Sequence, residues 1–254
     1  MEKNIYHDTT RDSFQYVYPF TTEVISGYFK DIDFKDKKVM TLGSSSDQAF
    51  NALLLGAKKI TVYDINENTA EFGKIKRDVI INSNLDNVWK NVISIDMSTS
   101  IDFFSSLSLR KMNPYMRDES SFKKLQELLK TRFDDIEYRT GDIMEVNNLD
   151  NELFDIMITS NVFQYLEEYL PPKENPYNKL KEIFTKLKEH LNEDGIIQLL
   201  YLYAFDGTSH KNDFAVRDLV KVINVLYPDL LELSEFDNGL KDGKDCAIYY
   251  KKKR

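Results

Sequence analysis

A single cysteine, Cys246, stands among 254 residues. That excludes an internal disulfide framework and fits a reducing cytoplasm, the expected location. Histidine is almost as scarce: His7, His190 and His210 lie far apart. No Cys/His pair has metal-ligand spacing, so a structural zinc is not expected. Long apolar runs are missing too. The longest, such as 196–205, reach about ten residues with polar interruptions, against the roughly 20 that a bilayer span needs. The opening stretch MEKNIYHDTTRDSF lacks an apolar h-region, so no signal peptide is expected. Positive charge is in deficit, with 34 Lys and Arg against 42 Asp and Glu and a net charge of −8. That balance argues against a nucleic-acid partner, because such binding rests on phosphate neutralisation. The run Lys251 to Arg254 reads as a solvated tail.

What is present points to one large α/β domain with a real core. Apolar residues make up 42% and charged residues 30%, a globular balance. The most informative stretch is 38–66, KVMTLGSSSDQAFNALLLGAKKITVYDIN. Its pattern predicts strand Lys38 to Leu42, a small-residue turn Gly43-Ser44-Ser45-Ser46, a helix from Asp47 to Leu55 stopped by Gly56, and strand Lys59 to Tyr63 ending on Asp64. This is a βαβ unit with a tight first loop and an acid at the tip of its second strand, an arrangement suited to an adenosine-containing ligand.

Further along, Asn66 is placed to cap a helix carrying Phe72, Ile75, Val79 and Ile80. Residues 82–133 hold two helix-like stretches, Ile101 to Leu109 and Ser121 to Phe133, separated by Met112-Asn113-Pro114-Tyr115. Strands are expected at Ile136 to Tyr138, Phe154 to Thr159 and Ile196 to Tyr203, with a helix from Tyr177 to Leu191 ended by a turn at Asn192 to Gly195. A helix Phe214 to Leu226 precedes two final strands, Leu230 to Phe236 and Cys246 to Lys251. The order implies a Rossmann-like, doubly wound, mostly parallel sheet of about seven strands with helices on both faces and a C-terminal antiparallel hairpin at its edge. Residues 1–34 read as a helical and aromatic cap, 35–251 as the nucleoside-binding domain, and 82–133 as a helical insertion forming a lid or acceptor pocket, or else a pad extending the core.

In an open α/β sheet, ligands sit beyond the carboxyl ends of the strands. Four such ends are legible. At Gly43 to Asp47 a flexible loop brings backbone N–H groups close to a ligand, the alternative being a plain turn with Asp47 as cap. Asp64 can accept both hydroxyls of a ribose, and Asp142, after Gly141, can accept an adenine amino group while Ile143 covers a ring face. Ser160 and Asn161 follow the fourth strand as small polar groups facing the reactive end, while Phe163 and Tyr165 pack the following helix. A pyrophosphate cofactor normally accompanies G-x-G-x-x-G, whereas this loop has one glycine and three serines. No G-x-x-x-x-G-K-[ST] is present. An unphosphorylated nucleoside fits better, and S-adenosylmethionine is the common one.

The LGSSSD loop, the YDIN tip, the GDI turn and the FDIMITSNVFQYL segment together resemble a class I S-adenosylmethionine-dependent methyltransferase over residues 35–251. More closely, 42–66 resembles the group that includes betaine-lipid 3-amino-3-carboxypropyl transferases and bacterial relatives. The resemblance implies that Gly43, Ser44, Ser45 and Asp47 line the methionine half, that Asp64 with Ile65 holds the ribose, and that Asp142 with Ile143 holds the adenine, with Ser160 nearby. The chain differs from the common pattern in lacking E/D-x-G-x-G-x-G and in carrying the 82–133 insertion.

A sulfonium donor is already activated, so positioning of an acceptor suffices and no obligatory base need be encoded. Tyr16, Tyr18, Asn161, Tyr165 and Tyr203 are the acceptor-side candidates, for a small or lipid-like acceptor. The broad fold favours methyl transfer, which is read first. The closer resemblance favours aminocarboxypropyl transfer. An NAD(P)-dependent oxidoreductase lacks its second and third glycines here. A non-catalytic nucleoside-binding module is the remaining alternative.

Overall fold

The β-branched runs fold as strands, and their alternation sets the layers. A computed structural model describes residues 18–43, 45–95, 105–203, 231–237 and 243–252. Tyr16, Ser44 and the expected helix Phe214 to Leu226 lie outside the described residues. In chain order the elements are α1 (Ile25–Tyr28), β1 (Lys38–Leu42), α2 (Asp47–Leu54), β2 (Lys59–Asp64), α3 (Thr69–Ile81), α4 (Val88–Ile93), α5 (Ser106–Met112), α6 (Glu119–Thr131), β3 (Ile136–Thr140), β4 (Phe154–Ile158), α7 (Leu166–Tyr169), α8 (Pro176–Glu189), β5 (Leu191–Leu202), β6 (Leu231–Asp237) and β7 (Lys244–Lys251).

The seven strands form one sheet in the order β3-β2-β1-β4-β5-β7-β6. Neighbours from β3 to β5 pair in parallel, and β7 runs antiparallel to both β5 and β6. The expected doubly wound sheet with its C-terminal hairpin is therefore what the chain builds. The hairpin lies with β6 at the edge and β7 inside. The strand order reverses between β1 and β4, where an open α/β sheet forms its ligand crevice.

Burial on both faces follows the two-residue period of the strands. Val39, Ile156 and Ile158 join one apolar cluster, while Met40 and Met157 join the other. Helix α8 has a two-sided reason to form. Asn175 caps its start by accepting from the N–H groups of Tyr177 and Asn178. Its buried stripe, Leu180, Ile183, Phe184 and Leu187, recurs at helical spacing. Each such side chain contributes about 1.5–3 kcal/mol on full burial.

Two local expectations need correction. Asn66 does not cap α3. Its side chain accepts from Asn68 N–H at 3.0 Å, and Asn68 occupies the cap position two residues later. The turn expected at Asn192 to Gly195 is taken into β5 as an irregularity. Phe154 pairs with Leu191 and Ile156 with Ile196, so two steps on β4 face five on β5 and three residues are extra. Asp194 accommodates them with a left-handed φ of 62°. The described part of 82–133 is helical and packs on the core. Leu109, Met112, Tyr115, Phe122, Leu125 and Leu129 are buried in the cluster that holds Val39 and Phe50.

Candidate nucleoside site at the carboxyl edge

The chain leaves β1 at Leu42 and bends at once. Gly43 N–H donates to Tyr63 C=O at 3.0 Å, and Ser46 N–H donates back to Gly43 C=O at 2.8 Å. Ser46 takes a left-handed φ of 61°, uncommon outside glycine, and its hydroxyl meets that of Tyr138 at 3.1 Å. Glycine is required at 43 by close approach. A Cβ there would stand 2.5 Å from Thr69 Cγ2 and 2.7 Å from Asp64 Oδ2. Gly43 and Asp64 therefore share one rim of the sheet, as the βαβ reading requires.

Asp64 is half-buried, and its Oδ1 accepts from Asn66 N–H at 2.8 Å. Its backbone C=O accepts from Gly141 N–H at 2.8 Å, which ties the ends of β2 and β3 together. A cleft of about 30 Å³ opens here, lined by Asp64, Asn66, Thr69, Tyr138 and Thr140. Ile65 beside it is 39% exposed, a large apolar side chain facing solvent. A larger cleft of about 370 Å³, lined by Asp31, Ile196, Glu232, Tyr249 and Lys251, lies at the amino ends of the parallel strands.

Asp142 follows directly, with its Oδ1 closing the turn on Met144 N–H at 2.8 Å. Ile143 is buried in the second apolar cluster beside Tyr63. The Tyr63 hydroxyl donates to Asp142 C=O at 3.2 Å and to Asn147 C=O. Burial, and then the Asp142 charge, push that phenol above its ordinary range.

Asp47 departs from the expectation that it lines the methionine half. It is fully buried, its Oδ1 accepting from Lys76 Nζ and Tyr115 Oη at 2.6 Å each, and its Oδ2 from Thr21 N–H at 2.7 Å. Lys76 Nζ also donates to Ser45 C=O at 2.8 Å and stands 4.5 Å from the centre of the Phe20 ring. Burial pushes the Lys76 ammonium below its ordinary value, and the Asp47 charge opposes that shift. Tyr115 is held well above the usual phenol value by burial first and the Asp47 charge second. The pair thus fastens the loop from beneath, and Ser45, also buried, accepts from Asp47 N–H at 3.3 Å.

At the end of β4, Ser160 adopts φ 60°. Its N–H donates to Gln198 Oε1 at 2.9 Å and its hydroxyl donates to Glu23. Glu23 reaches in from the segment before α1. It accepts from Tyr28 Oη at 2.8 Å and Gln48 Nε2 at 3.3 Å as well. Burial pushes this carboxyl up, while hydrogen bonds from Ser160, Tyr28, Gln48 and the Asn161 N–H pull it back. Asn161 is half-buried at the same end. Tyr203 meets the Thr22 hydroxyl at 2.5 Å, so it fastens the N-terminal segment. Tyr18 is 48% exposed, and Tyr165 closes the 3₁₀ turn Val162–Tyr165. Phe163 is core, as expected.

Glu23, Lys76 and Tyr115 escaped the sequence reading. Lys76 left a signal. It sits four residues from Phe72 and from Ile80, on the apolar stripe of α3 where a lysine needs a buried partner. Tyr115 follows an Asn-Pro break that reads only as punctuation, and Glu23 carries no local signal.

The chain matches no protein-family model and no curated protein. Among solved structures it is similar to the N-methyltransferase NodS from Bradyrhizobium japonicum WM9 in complex with S-adenosyl-L-homocysteine, at 13% identity, covering 87% of this chain and 80% of that one, with a TM-score of 0.42. A putative S-adenosylmethionine-dependent methyltransferase from Listeria monocytogenes gives 12% identity, 90% and 99% coverage and a TM-score of 0.45. The Methanococcus jannaschii fibrillarin pre-rRNA processing protein gives 11%, 91% and 74%, and 0.47. These likenesses are distant, and the chemistry of the site follows from its own residues.

Proposed function

We propose that this protein is an S-adenosylmethionine-dependent group transferase acting on a small or lipid-like acceptor, with methyl transfer as its first reading. The observation that carries this is the Gly43 contact: a loop whose Cβ position is filled by the Asp64 carboxylate and Thr69, beside the β1–β4 switch point. Such a close approach sets the loop backbone beside a carboxylate at one strand rim without a phosphate-binding glycine pattern. The donor set fits S-adenosylmethionine. Asp64 takes the ribose hydroxyls, Ile65 and Ile143 the apolar faces, Asp142 the adenine amino group, and Gly43, Ser44 and Ser45 border the methionine half.

When bound, that group supplies a carbon already activated by sulfonium. The protein's own contribution is to hold and orient. Asp47 and Lys76 fix the loop from below, Ser46 and Tyr138 fix its outer side, and Ser160 and Asn161 stand where an acceptor enters. Fixed geometry of this kind is worth several kcal/mol of barrier without a dedicated base.

Aminocarboxypropyl transfer is the second reading. It is favoured by the serine-rich loop, the buried Asn51 in its Asn-Ala-Leu-Leu helix and the Asp64-Ile65-Asn66 tip, which match that group more closely. Incubating the protein with S-adenosylmethionine and a cell extract separates the readings by mass spectrometry. S-adenosylhomocysteine indicates methyl transfer, and methylthioadenosine indicates aminocarboxypropyl transfer. Binding with neither product leaves a nucleoside-binding module, and no binding at all overturns the proposal.

A further inference from the structure

The N-terminal segment brings a buried negative charge to the switch point, and its partners there are neutral. Glu23 is 2% exposed. Among the described residues, the groups it meets are the Ser160 and Tyr28 hydroxyls, the Gln48 amide and the Asn161 N–H. A buried carboxylate ordinarily acquires a cationic partner, because solvation lost on burial has to be replaced. Lys76, a buried cation among the described residues, is engaged by Asp47 and the Ser45 carbonyl.

The Gln48 side chain supplies a second, independent observation. It is 2% exposed, and its Nε2 donates to Thr21 Oγ1 at 3.4 Å and to Glu23 Oε2 at 3.3 Å. Its Oε1 is buried and has no hydrogen-bond partner among the described residues. Turning the amide over would point oxygen at the Glu23 carboxylate, so Glu23 itself fixes this orientation. A buried acceptor left unsatisfied is destabilising. Here it stands one amide away from a buried negative charge, behind the half-buried Ser160 and Asn161.

We propose that Gln48 Oε1 and the Glu23 carboxylate form a receptor for an ammonium group, Gln48 accepting an N–H and Glu23 supplying the countercharge. The inference rests on the function proposed above only for which molecule carries that ammonium. Two sources share this chemistry: the amino-acid tail of the donor, and an amine acceptor entering past Asn161.

The test is calorimetric, on the full chain and on Glu23→Gln and Gln48→Leu, with far-UV circular dichroism and thermal unfolding as folding controls. The probes are S-adenosylhomocysteine, which carries an α-ammonium, methylthioadenosine, which lacks it, and a panel of primary alkylamines added to protein saturated with methylthioadenosine. If the donor tail is the source, both variants bind S-adenosylhomocysteine at least about tenfold more weakly and methylthioadenosine as before. If an acceptor is the source, the alkylamine response is present in the unaltered protein and falls about tenfold or more in both variants. Equal losses for both nucleosides with no alkylamine response mean that Glu23 and Gln48 only brace the fold, and overturn the receptor. So do folded variants that bind every probe like the parent. Failure of the parent itself to bind either nucleoside overturns the proposed function first, and this receptor with it.

Discussion

Two halves of the same sheet edge are built in opposite ways. The β2–β3 side, with Asp64 and Asp142, is closed by short-range turns, and Gly43 at the end of β1 is the seam. Asp64 accepts from Asn66 and Asp142 from Met144, each two residues on, and both acids stay half-buried. The β1–β4 side, with Glu23, Asp47, Lys76, Tyr115 and Ser160, is made by contacts between residues 26 to 137 positions apart, and Glu23 and Asp47 are almost or fully buried. Backbone and accessible carboxylates present an unphosphorylated nucleoside with hydrogen-bonding groups. The interior network has to set loop geometry, which it does with charges that water never reaches. The first half should therefore govern affinity for the nucleoside, and the second stability and alignment, with Glu23 adding affinity only for an ammonium group.

The largest effect is expected from breaking the interior half. Lys76→Met leaves Asp47 buried without its cation and should cost about 3–5 kcal/mol in denaturant unfolding. Adding Asp47→Leu to that variant should recover part of the loss, since two apolar partners are better than one buried charge. A Lys76→Met protein as stable as the parent would mean that the pair does not hold the loop. Next comes the seam between the halves. Gly43→Ala places a methyl group against Asp64 and Thr69 and should cost about 1–3 kcal/mol of stability, together with a measurable loss of nucleoside affinity by calorimetry.

Smaller effects sharpen the comparison through pH. The Glu23 carboxyl is raised from its ordinary value of 4.5, so the folded state holds this proton more tightly than the unfolded one. Its contribution is then fully present below pH 4.5 and is lost as pH rises through the folded-state value. Glu23→Gln should flatten that fall, seen as a stability difference between parent and variant that changes with pH above 4.5. An unchanged difference would remove the buried charge from the account. The least perturbing probe is Cys246, whose thiol is pushed up to about 12 by burial first and the charges of Glu235 and Asp245 after it. Iodoacetamide at pH 8 should label it slowly in native protein and quickly in denaturant.

The same contrast explains what the sequence made legible. The βαβ unit, the sheet class and the Gly43–Asp64 pairing are encoded within one short stretch, where strand pattern, turn residues and helix agree. Asn66 missed its role as the cap of α3 because Asn68 competes for that position two residues later, a choice local chemistry leaves open. The turn at 192–195 was read correctly as a break in regularity, yet strand pairing on both flanks absorbed it into β5. Asp47 looked like a ligand-facing acid because its partners, Thr21, Lys76 and Tyr115, are all remote in sequence. Glu23 was invisible for the same reason.

The central claim is that Gly43 and Asp64 close around an unphosphorylated nucleoside, and one titration tests it most directly. S-adenosylmethionine is titrated by calorimetry into the parent chain and into Asp64→Ala, with thermal unfolding of both recorded alongside. The account predicts binding to the parent, a loss of about 1–3 kcal/mol of binding free energy in the variant, and little change in unfolding temperature. Equal affinity in the two proteins, or no heat of binding in the parent, would contradict it.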